Sequence, residues 1–577
     1  MKRERATDLR RLRQSGALGL FVGAFLLGYA VLAGLRPELP FADNESTLLL
    51  LGTGALVYGL VARHNERDYR TVFRPAGAVV IGLGVCIWLC LGVAFLFELI
   101  SADAGTPDAR PGYVALGFAG GTALMLGAVM TWIGKARETR KRSQFTRREA
   151  ILAVCLIWLA ASLVGGLPFL YGAGMAPVDA FFESVSGLTT TGATVITDIE
   201  VRLSRPLLLW RSVIQGLGGM GIVVLFVAVF PNVGVGGKHM FRGEVTGTSA
   251  EGLRPRIAET SMVLWRLYAT FTLILTVALC LTGVNTFESL CHAFATMGTG
   301  GLSTRDGSVG GLHNPAAEYV IAVFMLVGSV NYALYYVLLR ERSAKRMFQN
   351  VELRVFLALV AGTTLAITAM LYSGGVHDHL ELAFRRSLFF VATTVSSTGF
   401  STDDYTAYPS PAFGLMIFLM FVGGCSGSTA GGLKIERVVL LVKQALAQVK
   451  KSFRPSSILN VRMGRSVVEN EVLADVAAFF LIYMGSLAMG AFVVCWIEGC
   501  PIPTAFGAML SCLSNMGPGP FHDLPWRAMS DVGSTVHIDN FAHYQPATKV
   551  VFCLGMLLGR LEFFTIFALF VPGFWKR

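Results

Sequence analysis

The chain has 577 residues, of which 54% are hydrophobic and 15% charged, with a mean hydropathy of +0.59 and a formal net charge of +11. Soluble domains carry about 25% charged residues, so the composition excludes a water-soluble globular protein. The basic residues fall in runs that alternate with apolar stretches, which argues against nucleic acid as their partner.

In chain order, apolar stretches near the roughly 20 residues needed to span a bilayer occupy 17–35, 47–62, 76–100, 113–134, 150–167 and 206–230. Others lie at 262–282, 317–339, 355–373, 410–440, 472–497 and 548–572. The first is too long for the apolar region of a cleavable signal. Basic clusters at 2–13, 63–74, 135–148, 238–256, 340–354, 443–465 and 576–577 fall on one side of these spans. The positive-inside rule puts that side, with both termini, in the cytoplasm. The ten cysteines form no paired CxxC motifs and read as small buried apolar residues. A disulfide at Cys500 is the one bridge left open.

From residue 150 onward one plan recurs four times: span, short amphipathic segment, glycine turn, span. The turns are SGLTTTGATV (186–195), ATMGTGGLST (295–304), TTVSSTGFST (393–402) and LSNMGPGPFH (513–522). Taking Gly192, Gly300, Gly399 and Gly517 as their centres gives spacings of 108, 99 and 118 residues. The segments before them (179–190, 286–298, 382–397, 503–515) are too short to cross the membrane and return. They are expected to be re-entrant half-helices. Irregular backbone at membrane depth must be lined by protein or water, and four such segments can line one axis. Backbone carbonyls there would replace a cation's water of hydration. Glycine supplies the backbone angles this requires, and the negative C-terminal end of each half-helix favours a cation. The expected filter residues are Thr190, Thr191 and Gly192; Gly298, Thr299 and Gly300; Ser397, Thr398 and Gly399; and Asn515, Met516 and Gly517. The fold class is an all-α polytopic membrane protein with four pseudo-repeats around a pore.

Two glycine-rich motifs need separating from nucleotide sites. GLGGMG (216–221) satisfies G-x-G-x-x-G, but no strand precedes it, so close helix packing is the better reading. GGCSGSTAGGLK (423–434) lacks the G-K-[S/T] ending of a P-loop and should break its span beside a cavity. Arg560 lies within an apolar span and must face water or a partner. Acids follow the turns at similar offsets: Asp198, Asp306, Asp403 or Asp404, and Asp523. They read as a ring at the outer mouth or as ordinary loop acids. Glu183 and His292 read as hydrogen-bonded structural groups. No catalytic or metal-ligand set emerges, and no enzyme activity or cofactor is implied.

The motifs resemble the TrkH family of bacterial potassium transport proteins, within the TrkH/TrkG/KtrB group. The resemblance rests on DAFFESVSGLTTTGATV (179–195), LLLWRSVIQGLGGMGIVVLFVAVFP (207–231), VGVGGKHMFRGE (233–244) and RPRIAET (254–260). It continues through HAFATMGTGGLSTRD, SSTGFSTDDY, FVGGCSGSTAGGLK (421–434), SNMGPGP and GRLEFFTIFALFVPGFWK (559–576). It covers roughly residues 110–577 and lies nearer TrkH than the sodium-coupled KtrB branch. It implies potassium uptake, with rubidium as a possible substitute, across the bacterial inner membrane. It also implies a homodimer and a cytosolic TrkA-type regulatory subunit that binds nucleotides, for which 340–354 and 443–465 are docking segments. A proton- or sodium-coupled symporter on the same scaffold is the alternative. By resemblance the gate comprises Gly423, Gly424, Gly427, Gly431, Gly432, Lys434 and Arg560. Lys434 reaches either the pore or the cytoplasmic interface. The expected divisions are an extra N-terminal hairpin (1–70), a helix pair (71–148), and repeats at 149–235, 236–350, 351–465 and 466–577.

Overall fold

The computed structural model describes residues 72–100, 109–135, 146–221, 257–456, 460–464, 466–518 and 540–575. The expected hairpin at 1–70, the connection at 233–244 and Asp523 lie outside them.

Among the described residues the regular elements are helices, apart from one short hairpin, β1 (Arg462–Met463) with β2 (Ser466–Val467). Helices α1 (Phe73–Ile100) and α2 (Arg110–Lys135) form an antiparallel pair. The first repeat has an outer helix α3 (Arg147–Gly172), a short helix α4 (Pro177–Leu188), a connecting turn α5 (Ile199–Arg202) and an inner helix α6 (Arg205–Gly219). The second has α7 (Ile257–Leu281), α8 (Thr286–Met297), α9 (Pro315–Gly328) and α10 (Tyr332–Glu341), followed by α11 (Ala344–Phe348). The third has α12 (Val351–Ser373), α13 (Leu380–Val395), α14 (Ser410–Val422) and α15 (Ile435–Phe453). The fourth has α16 (Asn470–Glu498), α17 (Ile502–Ser514), α18 (Pro546–Leu561), α19 (Phe563–Phe570) and α20 (Pro572–Trp575).

Among the described residues six helices are long and apolar enough to cross a membrane, or eight if each bent pair counts as one span. Their outer faces carry large exposed apolar side chains, including Trp132, Phe118, Leu99 and Trp496. Such surface is costly in water and suited to lipid. The chain is a multi-pass membrane protein.

Local chemistry sets the helix ends. At α3, Thr146 Oγ1 accepts from the Glu149 N–H, while Glu149 Oε2 accepts from the Thr146 N–H at 2.7 Å. This capping box satisfies two orphan donors. Asn285, Asn314 and Asn350 cap α8, α9 and α12 through their side-chain oxygens. Proline occupies the first turn of α4, α6, α9, α14, α17 and α18, where its missing N–H costs nothing.

The repeats interlock in a closed order. Each short helix packs on the inner helix of the preceding repeat: α8 on α6, α13 on α9, α17 on α14, and α4 on α18. Trp210 of α6 is fully buried and donates Nε1 to Gly165 O of α3 at 2.9 Å. None of the ten cysteines is joined in a disulfide, Cys500 included.

Three inner helices break, although only the interruption at 423–434 is expected from sequence. The pair α9–α10 bends by 89° and the pair α18–α19 by 117°. Asn331 causes the first by starting a new helix, its Oδ1 accepting from Ala333 N at 2.9 Å. At the second, Glu562 has a φ of +61°, which a helix interior forbids.

The α1–α2 contact depends on small residues. A Cβ on Gly127 would lie 2.7 Å from Ile81 Cγ1 and 2.8 Å from Gly77 O, whereas one on Gly121 meets nothing within 4 Å. Gly127→Leu should therefore destabilise the protein by about 1–3 kcal/mol. Thermal unfolding in detergent should show a lowered midpoint for it and none for Gly121→Leu.

Candidate functional site: four convergent loops and an intramembrane segment

The helices α4, α8, α13 and α17 all run into loops of one geometry. The N–H of Thr191, Gly300, Thr398 and Met516 bonds back to the carbonyl five residues earlier, at 2.8, 2.8, 2.9 and 3.0 Å. The preceding residues Thr190, Thr299, Ser397 and Asn515 have φ between +51° and +56°. Left-handed backbone is unusual at threonine and stores strain that the surroundings must hold. The residue after each bonded N–H is a glycine with φ between +74° and +93°: Gly192, Gly301, Gly399 and Gly517.

This register corrects one expectation. The central glycine of the second loop is Gly301, not Gly300, and the segment matching Thr190–Gly192 is Thr299–Gly301. Gly298 instead matches Thr189 and Ser396. The run GTGG has a glycine at three of four positions, so composition alone could not assign the register. The hydrogen bonds and φ angles do.

The loops meet in a ring. A Cβ on Gly192 would overlap Gly300 O, one on Gly301 would overlap Thr398 O, and one on Gly399 would overlap Met516 O. One on Gly517 would lie 2.7 Å from Thr191 O, closing the circle. Each glycine thus makes room for a carbonyl of the neighbouring loop. The C-terminal ends of four helices point their partial negative charge toward these loops.

Buried groups fix the ring from outside. Glu183 of α4 is fully buried; it accepts from Arg211 Nε at 2.7 Å, Thr194 Oγ1 at 3.0 Å and Val195 N at 3.2 Å. Arg211 Nη1 donates to Ser303 O at 2.6 Å, joining loop 1 to loop 2. His292, at the matching place in α8, contacts Glu288 O and Ser303 Oγ at 2.8 and 3.0 Å. Arg386 binds Thr402 O and Glu318, which also pairs with Arg385 at 3.1 Å. Asn515 Nδ2 donates to Thr191 Oγ1 and Met556 O, both at 2.9 Å.

Two of the acids expected at an outer mouth are engaged by other groups of the protein. Asp306 Oδ1 accepts from Ile199 N at 2.7 Å. Asp403 Oδ2 accepts from Tyr408 Oη at 3.1 Å and lies 2.9 Å from His377 Nε2. Burial, together with the Asp403 carboxylate, pushes the Tyr408 phenol above its ordinary range, so it stays a donor.

Residues 423–434 separate α14 from α15 and lie against the loops. Gly423, Gly427 and Gly432 have φ near +70° to +80°. The segment's backbone is satisfied by its neighbours, as apolar surroundings require. Cys425 N donates to Ser329 O at 2.9 Å, and Tyr332 N donates to Gly427 O at 3.2 Å. Both partners lie at the break between α9 and α10. Ser426 N donates to buried Glu352 at 2.6 Å, and Gly431 N to Ser397 Oγ of the third loop. A Cβ on Gly424 would come 2.6 Å from Ala430 Cβ, and one on Gly431 would overlap Ser514 O. Lys434 is buried, with Nζ turned back onto Ala430 O rather than toward an interface.

Arg560 of α18 reaches across to this segment. Its Nη1 donates to Thr429 O at 3.2 Å and its Nη2 to Gly219 O at 2.9 Å, with Gly218 O as a further acceptor. Glu562 pairs instead with Arg437 of α15, at 2.7 Å. GLGGMG serves close packing: a Cβ on Gly218 would overlap Leu188 O, and one on Gly219 would lie 2.5 Å from Gly298 Cα.

Sequence reasoning missed Arg211, Gln215, Glu352 and Asn331. A signal was present for the first two. They are polar groups one turn apart in LLLWRSVIQGLGG, and the rule that marks Arg560 applies equally to Arg211.

The TrkH family profile, described as a cation transport protein, matches residues 122–576. The Trk system potassium uptake protein TrkH of Salmonella typhimurium is 34% identical over 482 residues, covering 81% of this chain and 95% of that protein. TrkH of Halomonas elongata is 35% identical over 475 residues, covering 80% and 92%. The crystal structure of the potassium transporter TrkH from Vibrio parahaemolyticus superposes with a TM-score of 0.74 at 28% identity, covering 88% of this chain and all of that one. The chain belongs to the TrkH family of cation transport proteins.

Proposed function

We propose that this chain is the ion-translocating subunit of a potassium uptake system in the bacterial inner membrane, with both termini in the cytoplasm. The observation that carries the reading is the closed ring in which four glycines each accommodate a neighbour's carbonyl. Thr190–Gly192, Thr299–Gly301, Ser397–Gly399 and Asn515–Gly517 form its filter, where carbonyl oxygens replace the water around potassium. The convergent helix ends add favourable potential for a cation and none for an anion. An inside-negative membrane contributes about 2.3 kcal/mol per charge for each 100 mV, enough to drive uptake without hydrolysis in this chain.

Residues 423–434 are the gate beneath the filter. Gly423, Gly424, Gly427, Gly431 and Gly432 let that backbone pack between the third loop and the broken helices. Lys434 and Arg560 hold it by its carbonyls. Release of Arg560 from Thr429 frees the segment to move. The relatives named as potassium uptake proteins support this ion over others. The protein works as a homodimer with a TrkA-type nucleotide-binding subunit on its cytosolic side. The exposed basic residues Arg340, Arg342, Lys345 and Arg346, with Lys450 and Lys451 of α15, offer that subunit a docking surface.

Radioactive-rubidium uptake into proteoliposomes holding the chain and such a subunit tests the reading. Potassium should block uptake at far lower concentration than sodium; equal block by the two would overturn it. Gly399→Ser should abolish the preference, because its φ of +86° and the Met516 carbonyl both exclude a side chain.

Arg560→Gln should raise uptake about tenfold in the absence of activating nucleotide, since each charged hydrogen bond to a buried carbonyl holds the closed state by roughly 1.5–3 kcal/mol. Unchanged or reduced uptake by a folded variant would remove Arg560 from the gate.

A further inference from the structure

The second filter loop lacks a side chain where the other three carry one. In the observed register Gly300 matches Thr191, Thr398 and Met516. The two threonines brace their own loops. Thr191 Oγ1 lies 2.8 Å from Thr189 Oγ1, and Thr398 Oγ1 lies 2.6 Å from Ser396 Oγ. Met516 is buried beside them.

The corresponding space at Gly300 is filled from another repeat. A Cβ on Gly300 would lie 2.5 Å from both Cδ and Nε2 of Gln215 and 2.9 Å from its Cγ. Gln215 stands on α6 of the first repeat and is fully buried. Its Nε2 donates to Gly300 O at 2.6 Å, and its Oε1 accepts from Leu302 N at 3.2 Å. One carboxamide therefore grips the backbone on both sides of Gly301. Arg211, one turn earlier, holds Ser303 O of the same loop.

We infer that Gln215 is the missing side chain of the filter's outer wall, a positioning residue that fixes the second loop from the first repeat and so sets its preference among cations. This rests on the filter reading proposed above. Two consecutive glycines leave the Gly300–Gly301 peptide free to rotate. Filter carbonyls must hold one orientation to substitute for water. Glutamine supplies both the donor for the carbonyl and the acceptor for the N–H. Leucine fills a similar volume but leaves both buried groups unsatisfied. Gly300 does not share the positive φ of Gly301, so its intolerance of a side chain comes from Gln215 and not from its backbone.

The test is rubidium uptake into proteoliposomes, scored as the ratio of sodium to potassium concentrations that half-block it. Gln215→Leu should lower that ratio about tenfold, as expected when a buried acceptor and a buried donor both lose their partner. Gly300→Thr alone should lose selective uptake by collision with Gln215. Combining it with Gln215→Ala should recover uptake by removing the collision, but with the lowered ratio of Gln215→Leu, because Gly298 offers no hydroxyl of the kind that Thr189 and Ser396 give Thr191 and Thr398. An unchanged ratio in Gln215→Leu, or a double variant no better than Gly300→Thr, overturns the inference. Gly301→Ser tests the filter reading separately, since its positive φ and its overlap with Thr398 O are independent of residue 215. If Gly301→Ser keeps both uptake and ratio, the filter reading falls. If it loses them while Gln215→Leu does not, only the role of Gln215 falls.

Discussion

The architecture depends on the absence of four methyl-sized groups. Gly192, Gly301, Gly399 and Gly517 each leave space that a neighbour's carbonyl takes, and the four contacts close on themselves. A cyclic contact of this kind cannot be relaxed at one point without moving the next loop. The helices comply with it: each short helix rests on the inner helix of the repeat before it. Close approach along these seams again uses small residues, as at Gly218 and Gly219 against the first and second loops.

Holding irregular backbone within apolar surroundings is the second demand, and the structure meets it with backbone groups freed elsewhere. The break between α9 and α10 exposes the carbonyl of Ser329 and the N–H of Tyr332. Residues 423–434 supply the Cys425 N–H and the Gly427 carbonyl that satisfy them. Buried charges act similarly. Glu183 is matched by Arg211, a hydroxyl and a backbone N–H, so the pair is surrounded by hydrogen bonds in place of water. Removing one partner of such a pair leaves the other uncompensated, so these polar groups act as fixed struts between repeats.

Much of this was legible in the sequence because it is local. The four turns, the half-helices before them and the interruption at 423–434 follow from glycine content and from the length of the apolar runs. What was not legible depends on contacts between distant residues. GTGG offers three glycines, and only the bond from Gly300 N to Ala295 O selects Gly301 as the left-handed one. The bends at Asn331 and Glu562 lie in runs apolar enough to pass for continuous spans. Asp306 and Asp403 share a spacing that suggested a common outward role, yet Asp306 is engaged by Ile199 N of the first repeat and Asp403 by its near neighbour Tyr408 and by His377. Gln215 is one polar residue in a helix, and its meaning appears only when the loop opposite proves to lack a side chain.

Four repeats in one polypeptide also free the quadrants from one another. In a pore assembled from identical subunits, any substitution in the lining is made four times at once, so the smallest available step is large. Here the wall behind the ring is threonine at one quarter, a glutamine lent by another repeat at the second, threonine at the third and methionine at the fourth. On the proposed filter reading, selection can adjust a single quarter while three hold the ion, which permits finer grading of preference and rate than fourfold symmetry allows.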